Sequence, residues 1–147
     1  MKTIWNTDDR RRLQDRLAAL RPDSARQWGR MNAAQMVAHL SDALRMALGD
    51  LPCEPKKLPL RYPPLKQLLI YWLPWPEGAP TAPELISRVP APWAAEVADV
   101  SALLERMAGQ PRDARFPDHP AFGRLSRRAW GVLVYRHMDH HLRQFGV

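Results

Sequence analysis

Cysteine is nearly missing from the chain: Cys53 stands alone among 147 residues. No disulfide can form within it, which fits a reducing cytoplasm. Cys53 lies in the Pro-rich run LPCEPKKLP, with no partner of catalytic type nearby, and reads as a surface or half-buried thiol rather than a nucleophile. Long apolar runs are missing too. No stretch of about 18 apolar residues occurs, so no membrane-spanning helix and no membrane partner are expected. The opening MKTIWNTDDRRRL holds no apolar core followed by a small-residue cleavage site, so no secretory leader is expected either. Internal repeats and low-complexity tracts are absent. Lysine is scarce, with four against eighteen arginines. The net charge of +7 raises nucleic acid as a partner. The basic residues are spread along the chain, however, and their densest cluster, Arg10-Arg11-Arg12, directly follows Asp8-Asp9. No stripe interleaves basic and aromatic residues, so the reading is a solvated basic surface without a nucleic-acid partner.

What the chain has in excess is proline. Eleven of its fifteen prolines fall between Pro52 and Pro92, where they forbid long uninterrupted helices by removing a donor N–H and clashing with the preceding turn. A helical first third and a helical last third flank this stretch. The length suits one domain, residues 1–147, and the 46% apolar content is enough for a core. Helix one is expected over Asp8–Leu20, with Thr7 as N-cap and Leu13, Leu17 and Leu20 on its inner face. Helix two is expected over Ala33–Leu48, capped by Asn32 and closed by Gly49, with Met36, Ala43 and Met46 inward. A short helix is expected over Pro64–Leu73. The segment from Pro74 to Pro92 reads as a long ordered loop whose Trp75 and Leu85 pack on the body. Helix three is expected over Trp93–Met107, closed near Gly109, and helix four over Ser126–Phe145 after a turn-rich approach, FPDHPAFGRLS. Four substantial helices without alternating strand patterns make the fold class all-α, a helical bundle.

Five histidines then separate by helix face. His137 and His141 differ by about 40° at helical periodicity, so they stand one turn apart on one side. That side also carries Trp130, Leu133, Val134 and Gln144 and is the one expected to face the core. His39 shares the inner face of helix two. Three imidazoles on faces meant for burial are costly to leave uncompensated, and a divalent cation compensates all of them. Imidazole suits zinc, nickel, copper and ferrous iron, and three protein ligands leave a position for water or substrate. Hydrogen-bonded core histidines are the competing reading. His140 reads as a neighbour of the ligands or a solvent-facing residue, and His119 as a loop residue bonded to backbone. Gln144 can hold a ligand imidazole or a metal-bound water, or simply pack. Asp42, three residues past His39, can orient an imidazole or act as a base, or be a solvated carboxylate. Arg136 and Arg143 flank the chelate and can attract an anionic cofactor or form surface ion pairs.

The segments WGRMNAAQMVAHL (Trp28–Leu40), LPWPEGAPTAP (Leu73–Pro83), HPAFG (His119–Gly123) and WGVLVYRHMDHHLRQFG (Trp130–Gly146) together resemble the DinB-like superfamily of four-helix bundles, also described as metal-dependent hydrolases. By position, the resemblance places the family's metal ligands on His39, His137 and His141. It implies an up-down-down-up four-helix bundle with a long crossover, here the Pro-rich middle. It also implies a thiol-dependent S-transferase or hydrolase acting on a small molecule, using zinc or nickel and a low-molecular-weight thiol. The proline content between Pro52 and Pro92 departs from the family pattern and remodels the expected pocket mouth. A non-catalytic metal-binding or interaction module with the same fold is the alternative. Trp72 and Trp75 mark an apolar face that suits a homodimer or packing within one chain.

Overall fold

Helix-capping residues and prolines set where each element starts and stops. In a computed structural model, which describes residues 1–77 and 83–147, α1 covers Thr7–Ala19 and α2 covers Ala33–Leu48. A short α3 covers Leu65–Tyr71, α4 covers Trp93–Ala108 and α5 covers Arg127–Gln144. Two 3-10 turns, Pro59–Arg61 and Pro83–Leu85, punctuate the middle. No strand occurs among the described residues, so the chain is all-α as expected. Residues 78–82 of the segment Leu73–Pro83, which contributed to the family resemblance, lie outside the described residues.

The caps explain the boundaries. Asn6, not the expected Thr7, caps α1: its side-chain oxygen accepts from Asp9 N at 2.9 Å, so Thr7 becomes the first helical residue. Asn32 and Gln35 form a reciprocal capping box at the start of α2, each side chain accepting from the other's backbone N–H at 2.9 Å. Ser126 Oγ accepts from Ala129 N at 3.2 Å and opens α5 one residue later than expected. Pro92 precedes α4 without a side-chain cap, and the Glu96 carboxylate takes up Ala91 N at 2.7 Å instead.

The four long helices close on one another. α2 packs against α4 and α5, and α1 packs against α5 and α4, while α3 lies on α5. Leu13 and Leu17 of α1, Met36, Leu40 and Leu44 of α2, Leu104 and Met107 of α4, and Trp130, Met138 and Leu142 of α5 are essentially free of solvent contact and form one core. α2 is the most enclosed element, with twelve of its sixteen residues buried, and His39, in its middle, is only 2% exposed. Trp75 and Leu85 of the Pro-rich middle do pack on the body, whereas Trp72 is 73% exposed. No helix among the described residues is long and apolar enough to cross a membrane.

Candidate metal centre

α2 carries His39 to the interior, and α5 carries His137 and His141 one turn apart to meet it. The three ring centroids lie 4.8–4.9 Å from one another, and one nitrogen from each imidazole lies within 4.8 Å of the other two. His39 Nε2 and His137 Nε2 are 2.9 Å apart. Two nitrogens bound to one zinc ion at the usual bond length stand about 2.9–3.4 Å apart for right-angle to tetrahedral geometry. His39 and His141 are buried and His137 is half-buried, so His137 is the member nearest solvent. A compact three-imidazole set of this kind can hold a divalent cation.

Two neighbours fix which nitrogen faces the centre. His39 Nδ1 donates to the Leu85 carbonyl at 3.1 Å, leaving Nε2 with its lone pair free. His141 Nδ1 pairs with Gln144 Oε1 at 2.9 Å, which likewise turns Nε2 inward. Gln144 is itself anchored, because its Nε2 donates to the Trp28 carbonyl at 2.8 Å. Gly29 makes that anchor possible: at φ +81°, a Cβ there would sit 2.2 Å from Gln144 Nε2. The partners that orient metal-bound histidines are thus present on both buried rings.

The electrostatics keep the imidazoles neutral. Burial pushes the His39 pKa down, against the opposing pull of the Leu85 hydrogen bond and the Asp42 charge. His141 is pushed down to about 3 by burial and then by the neighbouring His39. His137 falls well below the ordinary imidazole range through burial and through the other histidines, His141 first. Neutral imidazole is the form that ligates a metal.

The remaining expected residues fall around this centre in different roles. His140 is buried, not solvent-facing: it lies edge-on to Trp28 and His141, with centroids at 6.0 and 5.2 Å, and beside Trp75 at 6.1 Å. Trp75 also covers His137 at 6.0 Å and is held by its Nε1 donating to the Leu69 carbonyl. Asp42 is only 4% exposed, so it is no solvated carboxylate. It accepts from Arg88 Nε at 3.1 and 3.2 Å and from Arg45 at 2.9 Å, which commits it to ion pairs. Arg136 donates to the carbonyls of Leu69, Ile70 and Leu73 and closes the end of α3. Arg143 pairs with Asp139 at 3.1 Å on the surface. Arg143 thus makes the surface ion pair that was its alternative reading, and Arg136 binds backbone carbonyls rather than a carboxylate. His119 Nδ1 accepts from Ala121 N and Phe122 N in a tight turn, as expected of a backbone-bonded loop residue, and burial lowers its pKa to about 4. Burial and the Glu84 charge raise the Cys53 pKa, away from thiolate character.

Three parts of the centre were not legible from residue spacing: the Leu85 carbonyl, the Gly29 seat for Gln144, and Arg88. A backbone acceptor leaves no mark in composition. Arg88 comes from the proline-rich stretch, where no periodicity places side chains. A cavity of about 210 Å³ adjoins His39, lined by Met31, Gln35, Asp42, Leu85 and Arg88 among others.

An all-helical fold with a buried three-histidine cluster shared between two helices defines the class of this protein. The chain belongs to the family described as "Protein of unknown function (DUF1569)", whose model matches residues 6–146. No curated protein matches the chain, and no solved structure does.

Proposed function

We propose that the chain is a metal-dependent enzyme of the DinB-like kind, a thiol-dependent S-transferase or hydrolase acting on a small molecule, with zinc or nickel held by His39, His137 and His141. The observation that carries this reading is the convergence of three neutral imidazoles, two of them buried with their outer nitrogens fixed, His39 by Leu85 and His141 by Gln144. When bound, the cation would supply Lewis acidity that lowers the pKa of a coordinated thiol or water toward neutrality. The protein's own groups do the rest. Leu85 and Gln144 orient two ligands, Trp75 and Trp28 exclude water around His137 and His140, and the half-buried His137 marks the side from which a substrate arrives.

The order of the interhelical contacts supports the up-down-down-up topology of that superfamily. Along α2 and α4, Asp42, Arg45 and then Asp50 meet Glu96 through Arg88, Asp99 and then Arg106, so the pairs advance in the same direction. Along α1 and α5, Trp5 meets Arg127 and Arg16 meets Asp139, again in step. Trp28, ahead of α2, meets Gln144 at the end of α5 while His39 meets His137, which is an opposed order.

One observation favours a second reading, a non-catalytic module. The 2.9 Å contact between His39 Nε2 and His137 Nε2 is also the length of a hydrogen bond between neutral imidazoles, with the proton on His137. Metal analysis of protein purified without a histidine tag separates the two. The metal-enzyme reading expects near-stoichiometric zinc or nickel in the wild type and its loss in His137→Ala. Equal metal in both contradicts it. A thiol tested with electrophilic acceptors should turn over, stop on chelation and resume on metal addition; inactivity throughout leaves the binding module.

A further inference from the structure

His39 is held by more than the Leu85 carbonyl. The short strap from Leu85 to Arg88 crosses the His39 region of α2, and each end is fastened to the body. At one end the Leu85 side chain is buried in the core and its carbonyl accepts from His39 Nδ1. At the other end Arg88 spreads its guanidinium over two carboxylates. Nε donates to both oxygens of Asp42, at 3.1 and 3.2 Å, while the two terminal nitrogens donate to both oxygens of Glu96. A terminal nitrogen also reaches the Ala38 carbonyl at 3.4 Å. Asp42 and Glu96 are 4% and 2% exposed, while the Arg88 side chain is 33% exposed, so the two buried carboxylates are paired by a guanidinium with one side toward solvent. Arg88 thus touches the residue before His39 and the residue three beyond it.

We propose that Arg88 is a positioning residue for the metal centre: by clamping Asp42 and Glu96 it holds the 85–88 strap so that the Leu85 carbonyl keeps His39 in the tautomer that presents Nε2. This rests on the three-histidine centre being a metal site. A planar, five-donor guanidinium is needed because four carboxylate oxygens must be held at once, which an ammonium cannot do. Arg45 provides the internal control. It also bonds Asp42, and Asp99 besides, but it does not touch the strap.

The test measures zinc affinity by competition with a chelating dye, and the absorption spectrum of the cobalt-substituted protein, for wild type, Arg88→Lys, Arg88→Met and Arg45→Met. Circular dichroism and thermal unfolding confirm that each is folded at the assay temperature. Loss of a group that orients a metal ligand weakens binding by about 10–100-fold. The expected result is that range for Arg88→Met, a smaller loss for Arg88→Lys, and an altered cobalt spectrum in both, with affinity and spectrum unchanged in Arg45→Met despite its lower stability. If Arg88→Met does not fold, Arg88→Lys decides on the same readouts. Wild-type affinity and spectrum in the Arg88 variants, or an equal loss in Arg45→Met, overturn the positioning role. A wild type that takes up no zinc overturns the metal centre itself, and the positioning role with it.

Discussion

His141 sits with its Nδ1 on Gln144 and its other nitrogen toward His39 and His137, in a place where burial disfavours a protonated imidazole. Its pKa of about 3 in the folded chain compares with about 6.5 for a free imidazole. Between those values the unfolded chain takes up a proton that the folded chain refuses, so folding stability rises with pH through this window. The stability is fully present above about pH 6.5 and is lost as pH falls toward the folded value. His119, lowered to about 4, adds in the same direction. Metal-free protein should therefore show a melting temperature that falls steadily from pH 7 to pH 4. His141→Leu, which removes one such group while keeping an apolar volume, should show a shallower fall; parallel curves for the two proteins would contradict buried neutrality at His141. At this scale the sequence was informative for the histidines because helical periodicity alone puts residues 39, 137 and 141 on inner faces. It marked Asp42 as an orienting group, a base or a solvated carboxylate and missed its ion pair with Arg88, since that pairing depends on how a proline-rich loop returns to α2.

Among the elements, α5 owes its close seating to a residue with no side chain. Gly131 lies mid-helix, where glycine costs helix stability. A Cβ there would come within 2.1 Å of Trp5 Nε1 and 2.4 Å of Thr3 Oγ1. The gap lets the N-terminal segment lie on the helix, with Ile4 N donating to the Gly131 carbonyl at 3.2 Å and Trp5 Nε1 to the Arg127 carbonyl at 2.9 Å. Overpacking of this kind costs about 1–3 kcal/mol. Gly131→Ala should accordingly lower stability by that amount in urea unfolding, despite alanine's better helix propensity; a neutral or stabilising result would contradict the contact. The helices themselves were readable to within a residue or two, because Asn32, Gly49 and Ser126 are strong caps and the leucine and methionine spacing is regular. The shift at α1 came from two adjacent cap-competent residues, Asn6 and Thr7, of which the carboxamide makes the bond to Asp9 N. Between residues 52 and 92 the short helix and the packing of Trp75 and Leu85 were legible, but the 3-10 turns were not, since short turns and irregular backbone carry no periodicity.

Across the whole molecule, arginine is the fastening material. Arg10 ties α1 to α4, Arg16 ties α1 to α5, Arg106 ties α4 to the end of α2, and Arg136 and Arg127 cap backbone carbonyls. This accounts for the preference for arginine over lysine at these positions, because a rigid multidentate fork suits such links. The same links, with the proline-rich strap, bring two distant parts of the sequence to one interior point, and that convergence is what the functional reading depends on. The most direct measurement is a crystal structure of protein soaked in zinc, with anomalous data collected on either side of the zinc edge. The account requires one anomalous peak about 2.0–2.1 Å from Nε2 of His39, His137 and His141 together. A peak bound by other residues, or no peak at this centre, would contradict it.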